Sequence, residues 1–156
     1  MAIEIERKFL PKNDGWRGLG VGTVYRQGFL STVKERVVRV RIAGDKATLT
    51  IKGANNGITR AEYEYEIPMA DAEALLSNLC EKPIIEKTRY VIKHEENILE
   101  VDEFEGDNKG LFVAEVELNE AEQTFTTPDW VGEDVSADDS YFNSNLIKHP
   151  YSQWTK

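Results

Sequence analysis

The sequence predicts a single α+β domain in which antiparallel β-strands predominate. Apolar and polar residues alternate with a period of two in eight segments, and short turn-forming sequences link several of them. Parallel strands need crossover connections of about a dozen residues or more, so a link as short as Gly44-Asp45 favours antiparallel neighbours. With 156 residues the chain can bury a core of ordinary size, and we expect one domain over 1–156.

The alternating segments are the predicted strands. In chain order they cover 2–10, 23–30, 36–43, 46–53, 60–68, 83–94, 97–104 and 111–118. Between the fifth and the sixth, 71–80 predicts a helix because its apolar residues recur at helical spacing. After the eighth, 119–123 predicts a short helical turn. Ser136, followed three residues later by Asp139, predicts the start of a last helix.

The composition argues against several classes of protein. The formal net charge of −9 is unfavourable for broad nucleic-acid binding. No apolar run approaches the roughly 18–20 residues that span a bilayer, and acids at Glu4 and Glu6 are not typical of a secretory signal. Cys80 is the only cysteine, which excludes a disulfide within the chain and a cysteine-based zinc site. We therefore expect a cytoplasmic protein without nucleic-acid or membrane partners.

Most of the predicted strands have one face of charged residues, and the charges are grouped by sign. Basic pairs occur at 39/41 and 87/89, and acidic pairs occur at 4/6, 62/64, 100/102 and 115/117. For any single strand a solvated outer face is the simpler explanation. However, charged residues on an ordinary solvent-exposed surface would show a more even mixture of positive and negative charges. Eight strands are also enough to close a barrel whose interior holds side chains or one small ligand.

Charged faces turned into a barrel would need counter-ions. Clustered arginines and lysines repel one another unless a polyanion lies among them, and arginine forks suit phosphate oxygens. Clustered carboxylates likewise need a divalent cation. With a single cysteine and only two histidines in the chain, oxygen ligation favours Mg²⁺ or Mn²⁺ over zinc. A cavity with both sets of charges fits a metal-bound polyphosphate.

These motifs carry a family resemblance. Glu4-Ile5-Glu6-Arg7-Lys8 has the form Glu-x-Glu-x-Lys that marks the CYTH domain, also called the triphosphate tunnel metalloenzyme family. The resemblance becomes specific through the order of the motifs that follow: Arg39-Val40-Arg41, Lys52, Glu62-Tyr63-Glu64, Lys87-Thr88-Arg89, Asp102 and Glu115-Val116-Glu117. It covers nearly the whole chain and is nearest to the short bacterial members, which resemble inorganic triphosphatases. It implies an eight-stranded antiparallel β-barrel that forms a tunnel, with a few flanking helices.

The resemblance also implies roles for individual residues. The residues implied to bind triphosphate are Lys8, Arg39, Arg41, Lys52, Lys87 and Arg89. Those implied to hold the metal are Glu4, Glu6, Asp102, Glu115 and Glu117, with Glu62 and Glu64 as further acidic lining. The residues expected to act in catalysis are Lys8, Arg41, Lys87 and Glu117. The implied chemistry is phosphoryl transfer to water, with Mg²⁺ or Mn²⁺ as cofactor.

Several functions stay open at this point. The favoured one is a tripolyphosphatase, because the chain is short and has no evident base-stacking pocket. The enzymatic alternatives are a class IV-like adenylate cyclase and a nucleoside or thiamine triphosphatase. A polyphosphate- or nucleotide-binding module without catalysis is the alternative of another class. The sequence leaves the oligomeric state open, a homodimer included.

Overall fold

The computed structural model describes residues 3–154, which form nine strands, two α-helices and three turns of 3-10 helix. The strands are β1 (Ile3–Pro11), β2 (Val21–Ser31), β3 (Val37–Ala43), β4 (Lys46–Lys52), β5 (Thr59–Glu66), β6 (Ile85–His94), β7 (Asn97–Phe104), β8 (Phe112–Glu117) and β9 (Val131–Asp134). The helices are α1 (Met69–Asn78) and α2 (Asn143–Lys148), and the 3-10 turns are Gly106–Asn108, Asp139–Tyr141 and Tyr151–Gln153.

Eight of these strands close into an antiparallel barrel. Their order is β5-β4-β3-β2-β6-β7-β8-β1, and β1 pairs back with β5. The long first strand makes this closure possible because its two halves pair with different neighbours. Ile3–Ile5 pair with β5, whereas Glu6–Phe9 pair with β8. The predicted eight-stranded barrel with flanking helices is confirmed.

The barrel is charged inside and apolar outside. On β3, Val40 and Ile42 point outward and pack against Ala72 and Leu76 of α1. A second outer cluster forms around the buried side chain of Trp16. Because both apolar layers lie outside the sheet, the alternate residues of each strand point inward. The period-two patterns of the sequence therefore become the lining of the interior.

Helix α2 covers one end of the barrel. At that end the inward-facing positions are apolar, and Phe29, Ile85 and Val113 pack against Leu146 and Ile147 of α2. At the opposite end, inward-facing Val21 and Val91 are 82% and 46% exposed. Helix α2 therefore closes over one end of the barrel, and the opposite end has an open mouth. Within residues 3–154 no helix has the length and apolar character that crossing a bilayer requires.

Two features at the C-terminal side differ from the sequence prediction. The strand β9 was not predicted, because its four residues include Gly132 and two exposed acids and show no alternation. It pairs with the end of β1, at Phe9 and Pro11. The predicted helix start at Ser136 is wrong: its hydroxyl instead accepts a hydrogen bond from the Lys8 N–H, 2.8 Å away. Helix α2 begins only at Asn143.

Candidate active site

The barrel interior encloses a cavity of about 270 Å³ that charged side chains dominate. Every predicted site residue lines this cavity except Asp102. The lining also includes Arg60, Tyr25 and Asn143, which the sequence analysis did not single out. The closed barrel thus brings together residues from strands that are far apart in sequence.

We call Arg39, Arg41, Lys87 and Arg89 the basic wall. Arg41 donates from Nε to Gln27 Oε1 at 2.8 Å, and Arg39 donates from Nη2 to Thr50 Oγ1 at 3.2 Å. The Nε of Arg39 is buried without a hydrogen-bond partner. Burial, together with the charges of Arg39 and Arg89, lowers the pKa of Arg41 to about 9. Within residues 3–154 Arg41 is thus the one cation of the basic wall without a carboxylate partner, and its charge favours a bound anion.

Asp102 lies behind the basic wall. Its carboxylate accepts two bonds from Arg89, Nε to Oδ1 at 2.7 Å and Nη2 to Oδ2 at 2.8 Å, and one from Lys87 Nζ at 2.7 Å. Burial alone would raise the pKa of Asp102, but the attraction of Arg89 and Lys87 outweighs it and the pKa is lowered. Burial lowers the pKa of Lys87 to about 7 despite this partner. The contacts of Asp102 thus orient two cations of the wall, and its role as a metal ligand stays a prediction.

We call Glu6, Glu100, Glu115 and Glu117 the acidic wall. Glu6 on β1 lies directly opposite Glu117 on β8, and Glu100 on β7 lies directly opposite Glu115. Like charges in such cross-strand positions are destabilising. Burial and the charge of Glu115 raise the pKa of Glu6 to about 7. Burial and the charge of Glu4 also raise the pKa of Glu117. This crowding of carboxylates favours a bound cation.

Lys8 connects the acidic wall to the rest of the cavity. Its Nζ lies 2.9 Å from Glu6 Oε1 and 3.2 Å from Glu115 Oε2. Glu115 in turn lies 3.2 Å from Arg89 Nη2. Burial disfavours the charges of Lys8 and Glu115. Attraction between opposite charges outweighs it, raises the pKa of Lys8 and keeps the pKa of Glu115 well below its usual range. The two walls are thereby held in one ion-pair network.

A second network lies beside this one. Lys52 Nζ lies 3.0 Å from Glu4 Oε1 and 3.4 Å from Glu62 Oε2. Arg60 Nε lies 3.5 Å from the same Glu4 oxygen. Glu64 lies nearer to solvent, with Oε2 3.6 Å from Arg39 Nη2. The predicted acidic lining at Glu62 and Glu64 is therefore present in the cavity, where it faces basic partners.

Sequence reasoning missed several lining residues, among them Arg60, Tyr25 and Asn143. Arg60 follows the same alternation as Glu62 and Glu64 on β5, so the period-two pattern could have found it. Tyr25 shares the inward face of β2, and its ring lies 4.8 Å from the Arg41 guanidinium carbon. Asn143 lies outside any strand, and no sequence pattern places it in the cavity.

At about pH 8 in metal-free buffer, Glu6→Gln is expected to unfold at a higher temperature than the wild type. An acid whose pKa rises from 4.5 to about 7 on folding binds protons more tightly in the folded state. Ionisation of Glu6 therefore lowers the free energy of unfolding as the pH rises from about 4.5 to about 7, and the full destabilisation is present above about pH 7. We expect scanning calorimetry to show a gain in Tm of about 2–4 °C at about pH 8, and none near pH 4.

The control for this measurement is Glu96→Gln, because Glu96 lies exposed in the turn between β6 and β7. It is expected to change Tm at neither pH. Equal gains for Glu6→Gln at both pH values would show that the mutation acts through packing and not through the charge.

Comparison with known proteins decides the family. The model of the CYTH domain matches residues 2–147 of the chain. This chain belongs to the CYTH family. An inorganic triphosphatase of Acetivibrio thermocellus is 49% identical over 154 residues, which cover 99% of each protein. One of Nitrosomonas europaea is 36% identical over 149 residues, which cover 92% of this chain and 95% of the relative.

A solved structure agrees with these comparisons. The crystal structure of an inorganic triphosphatase superposes on this CYTH protein with a TM-score of 0.66 and 34% sequence identity, and the match covers 94% of this chain and 95% of that one. CYTH triphosphatases are metalloenzymes as a class. Within residues 3–154 no group of three or more acidic, histidine or cysteine side chains is arranged to hold a metal ion by itself. A cation here would therefore take part of its ligands from water or substrate, as Mg²⁺ commonly does.

Proposed function

We propose that this CYTH protein is a metal-dependent hydrolase of inorganic triphosphate that cleaves a phosphoanhydride bond by water attack inside the barrel. The observation that carries the proposal is that one cavity holds a cation without a carboxylate partner, Arg41, and crowded carboxylates whose charge is disfavoured, Glu6 and Glu117. An anion would neutralise Arg41 and a cation would neutralise the crowded carboxylates, and a metal-bound triphosphate supplies both. The names of the two relatives support the same substrate.

The triphosphate is proposed to lie along the basic side of the cavity. Its proposed ligands are Lys8, Arg39, Arg41, Lys52, Lys87 and Arg89. Fixed guanidinium and ammonium groups neutralise the charge on the phosphoryl oxygens as it shifts in the transition state. Arg41 is the least neutralised of these groups, and Lys8 and Lys87 reach the cavity from β1 and β6. We propose that these three cations contact the phosphoryl group that is transferred.

The cation is proposed to lie at the acidic side. The carboxylates proposed to hold it are Glu4, Glu6, Glu115 and Glu117, and Asp102 stays a predicted ligand whose present contacts all go to the basic wall. Carboxylate oxygens are the ligands that Mg²⁺ and Mn²⁺ prefer, so the donor set fits either ion. When bound, such an ion neutralises phosphoryl oxygens and polarises a water molecule.

Glu117→Ala is expected to lower kcat on tripolyphosphate at least about 10-fold and to raise the Mg²⁺ concentration that gives half-maximal rate. Glu117 lies near the open mouth, and its pKa is raised because burial and neighbouring carboxylates disfavour its charge. A bound cation would reduce the repulsion between Glu117 and these carboxylates. Glu120→Ala is the matched control, since Glu120 lies three residues further on in an exposed turn. An unchanged Mg²⁺ dependence in Glu117→Ala would contradict the metal assignment.

A substrate panel separates the proposed function from its alternatives. Tripolyphosphate, ATP, thiamine triphosphate and pyrophosphate are each incubated with Mg²⁺ or Mn²⁺, and phosphate and cyclic AMP are measured. We expect the highest kcat/KM for tripolyphosphate. Faster formation of cyclic AMP would identify an adenylate cyclase, and a preference for ATP or thiamine triphosphate would identify those activities. Tight binding with no turnover would identify a binding module.

We further propose that residues 1–156 act as one domain in the cytoplasm, without nucleic-acid or membrane partners. The lone, buried Cys80 suits a reducing compartment, and the net charge of −9 is unfavourable for nucleic-acid binding. The homodimer stays a prediction that a measurement of molar mass in solution would test.

A further inference from the structure

Asn143, the first residue of α2, lies at the edge of the cavity where the helix meets the barrel. Its Oδ1 is 2.6 Å from Gln27 Nε2 and 2.9 Å from Lys87 Nζ. Gln27 is fully buried and Lys87 is almost so. The carboxamide of Asn143 is therefore fixed on one side by two short contacts to the inner surface of the barrel.

The hydrogen-bond partners determine which way this carboxamide points. Gln27 Oε1 accepts from Arg41 Nε at 2.8 Å, and a guanidinium can only donate. The other end of the Gln27 amide is therefore its nitrogen, which donates to Asn143. The atom of Asn143 that accepts this bond has to be its oxygen. The orientation of Asn143 follows from this chain of donors and acceptors.

The nitrogen of Asn143 consequently points away from Gln27 and Lys87. Asn143 Nδ2 donates to no group among residues 3–154. The buried side-chain atoms without a hydrogen-bond partner in those residues are Arg39 Nε and His94 Nε2, and Asn143 Nδ2 is not one of them. It is therefore accessible, and Asn143 lines the cavity. A neutral amide with two free N–H groups faces the same space as the basic wall.

We infer that Asn143 is a substrate-binding residue whose Nδ2 donates a hydrogen bond to a non-bridging oxygen of the bound triphosphate. The inference rests on the proposed function, because it takes triphosphate as the ligand of the cavity. Oδ1 meanwhile keeps Lys87 and the Gln27–Arg41 pair in position. One side chain of α2 thus joins the substrate to two cations of the basic wall.

Two substitutions separate substrate contact from a positioning role. Asn143→Asp keeps the acceptor that holds Gln27 and Lys87 but removes the N–H donor, whereas Asn143→Ala removes both. Affinity for tripolyphosphate is measured by calorimetry in metal-free buffer, together with Tm. A hydrogen bond to a charged oxygen corresponds to about 10- to 100-fold in affinity. We expect both variants to bind tripolyphosphate weaker by that factor, and Asn143→Asp to keep the wild-type Tm.

The added charge of Asn143→Asp needs its own control. Ser144→Asp places the same charge on the next residue of α2, which also lines the cavity. Asn145→Ala truncates the same residue type on the same helix, where the side chain donates to the Asp139 carbonyl. We expect Asn143→Asp to weaken binding at least about 5-fold more than Ser144→Asp, and Asn145→Ala to leave it unchanged.

The outcomes distinguish this inference from the proposed function. If Asn143→Asp binds tripolyphosphate no more weakly than Ser144→Asp, Asn143 only positions its neighbours and the inference is overturned. If the wild type binds tripolyphosphate but does not hydrolyse it with Mg²⁺ or Mn²⁺, the proposed function alone is overturned. If the wild type binds none, both are overturned.

Discussion

Arg41→Ala is expected to lower kcat on tripolyphosphate by about 100-fold or more. Within residues 3–154 the Arg41 guanidinium forms no ion pair with a carboxylate, and its one protein acceptor is the amide oxygen of Gln27. Its charge is therefore available to a phosphoryl oxygen. Losing one fixed donor of this kind typically costs two to three orders of magnitude in rate, that is about 10²–10³. Steady-state rates of phosphate release check the result.

The same substitution is expected to cost little stability. Burial and the nearby Arg39 and Arg89 lower the pKa of Arg41 to about 9, so the folded protein without ligand disfavours this charge. Removing it relieves repulsion, which offsets the lost packing of the side chain on Tyr25. We expect a Tm within about 2–4 °C of the wild type. A large fall in Tm together with the lost activity would show that Arg41 acts in folding and would contradict its assignment to substrate.

The matched control for Arg41→Ala is Arg26→Ala. Arg26 lies on the outer face of β2 and pairs with Glu73 at 3.0 Å on the surface. Such exposed pairs contribute about 0–1 kcal/mol, so both rate and Tm should stay near the wild type.

Asp102→Ala is expected to destabilise the protein by about 3–5 kcal/mol, which lowers Tm by about 10 °C. The carboxylate is 1% exposed and compensates both Lys87 and Arg89, with contacts of 2.7–2.8 Å. Without it, two buried cations would face each other and the charge of Arg41. Removing one partner of a buried ion pair is costly because the other charge cannot recover its hydration. Thermal unfolding in metal-free buffer measures the effect.

The control for Asp102→Ala is Asp134→Ala, which breaks the half-exposed pair with Arg7. It is expected to cost about 1 kcal/mol or less. If Asp102→Ala instead kept the wild-type Tm and lost Mg²⁺ binding, the main role of Asp102 would be to bind the metal and not to orient the basic wall.

Alternation alone predicted the barrel strands well. The predicted segments 36–43 and 97–104 differ from β3 and β7 by at most one residue. Both strands have apolar residues on the outer face, Val40 and Ile42 on β3 and Leu99 and Val101 on β7, which pack in the outer clusters. The helix α1 begins two residues before the predicted start, directly after Pro68. The last segment was harder to predict. Strand β9 and helix α2 are short, and tertiary contacts with β1 and the barrel end determine them more than local pattern does.

The candidate site was predictable as far as it lies on strands. Arg39 and Arg41 were correctly predicted to lie together in the cavity, because residues two apart on a strand share one face. Asp102 shows the limit of this argument, since its register was right but its carboxylate is turned toward Arg89 and away from the cavity surface. Asn143 could not be predicted at all, because its place depends on how α2 docks on the barrel.

The central claim is that the two walls together hydrolyse a metal-bound triphosphate. Phosphorus NMR of tripolyphosphate incubated with the wild-type protein tests it most directly, because the method resolves substrate, pyrophosphate and phosphate in one sample. With Mg²⁺ or Mn²⁺ we expect tripolyphosphate to disappear and pyrophosphate and phosphate to form in equal amounts, and we expect a chelator to stop the reaction. Hydrolysis that continues at the same rate in the chelator, or no products with either ion, would contradict the claim.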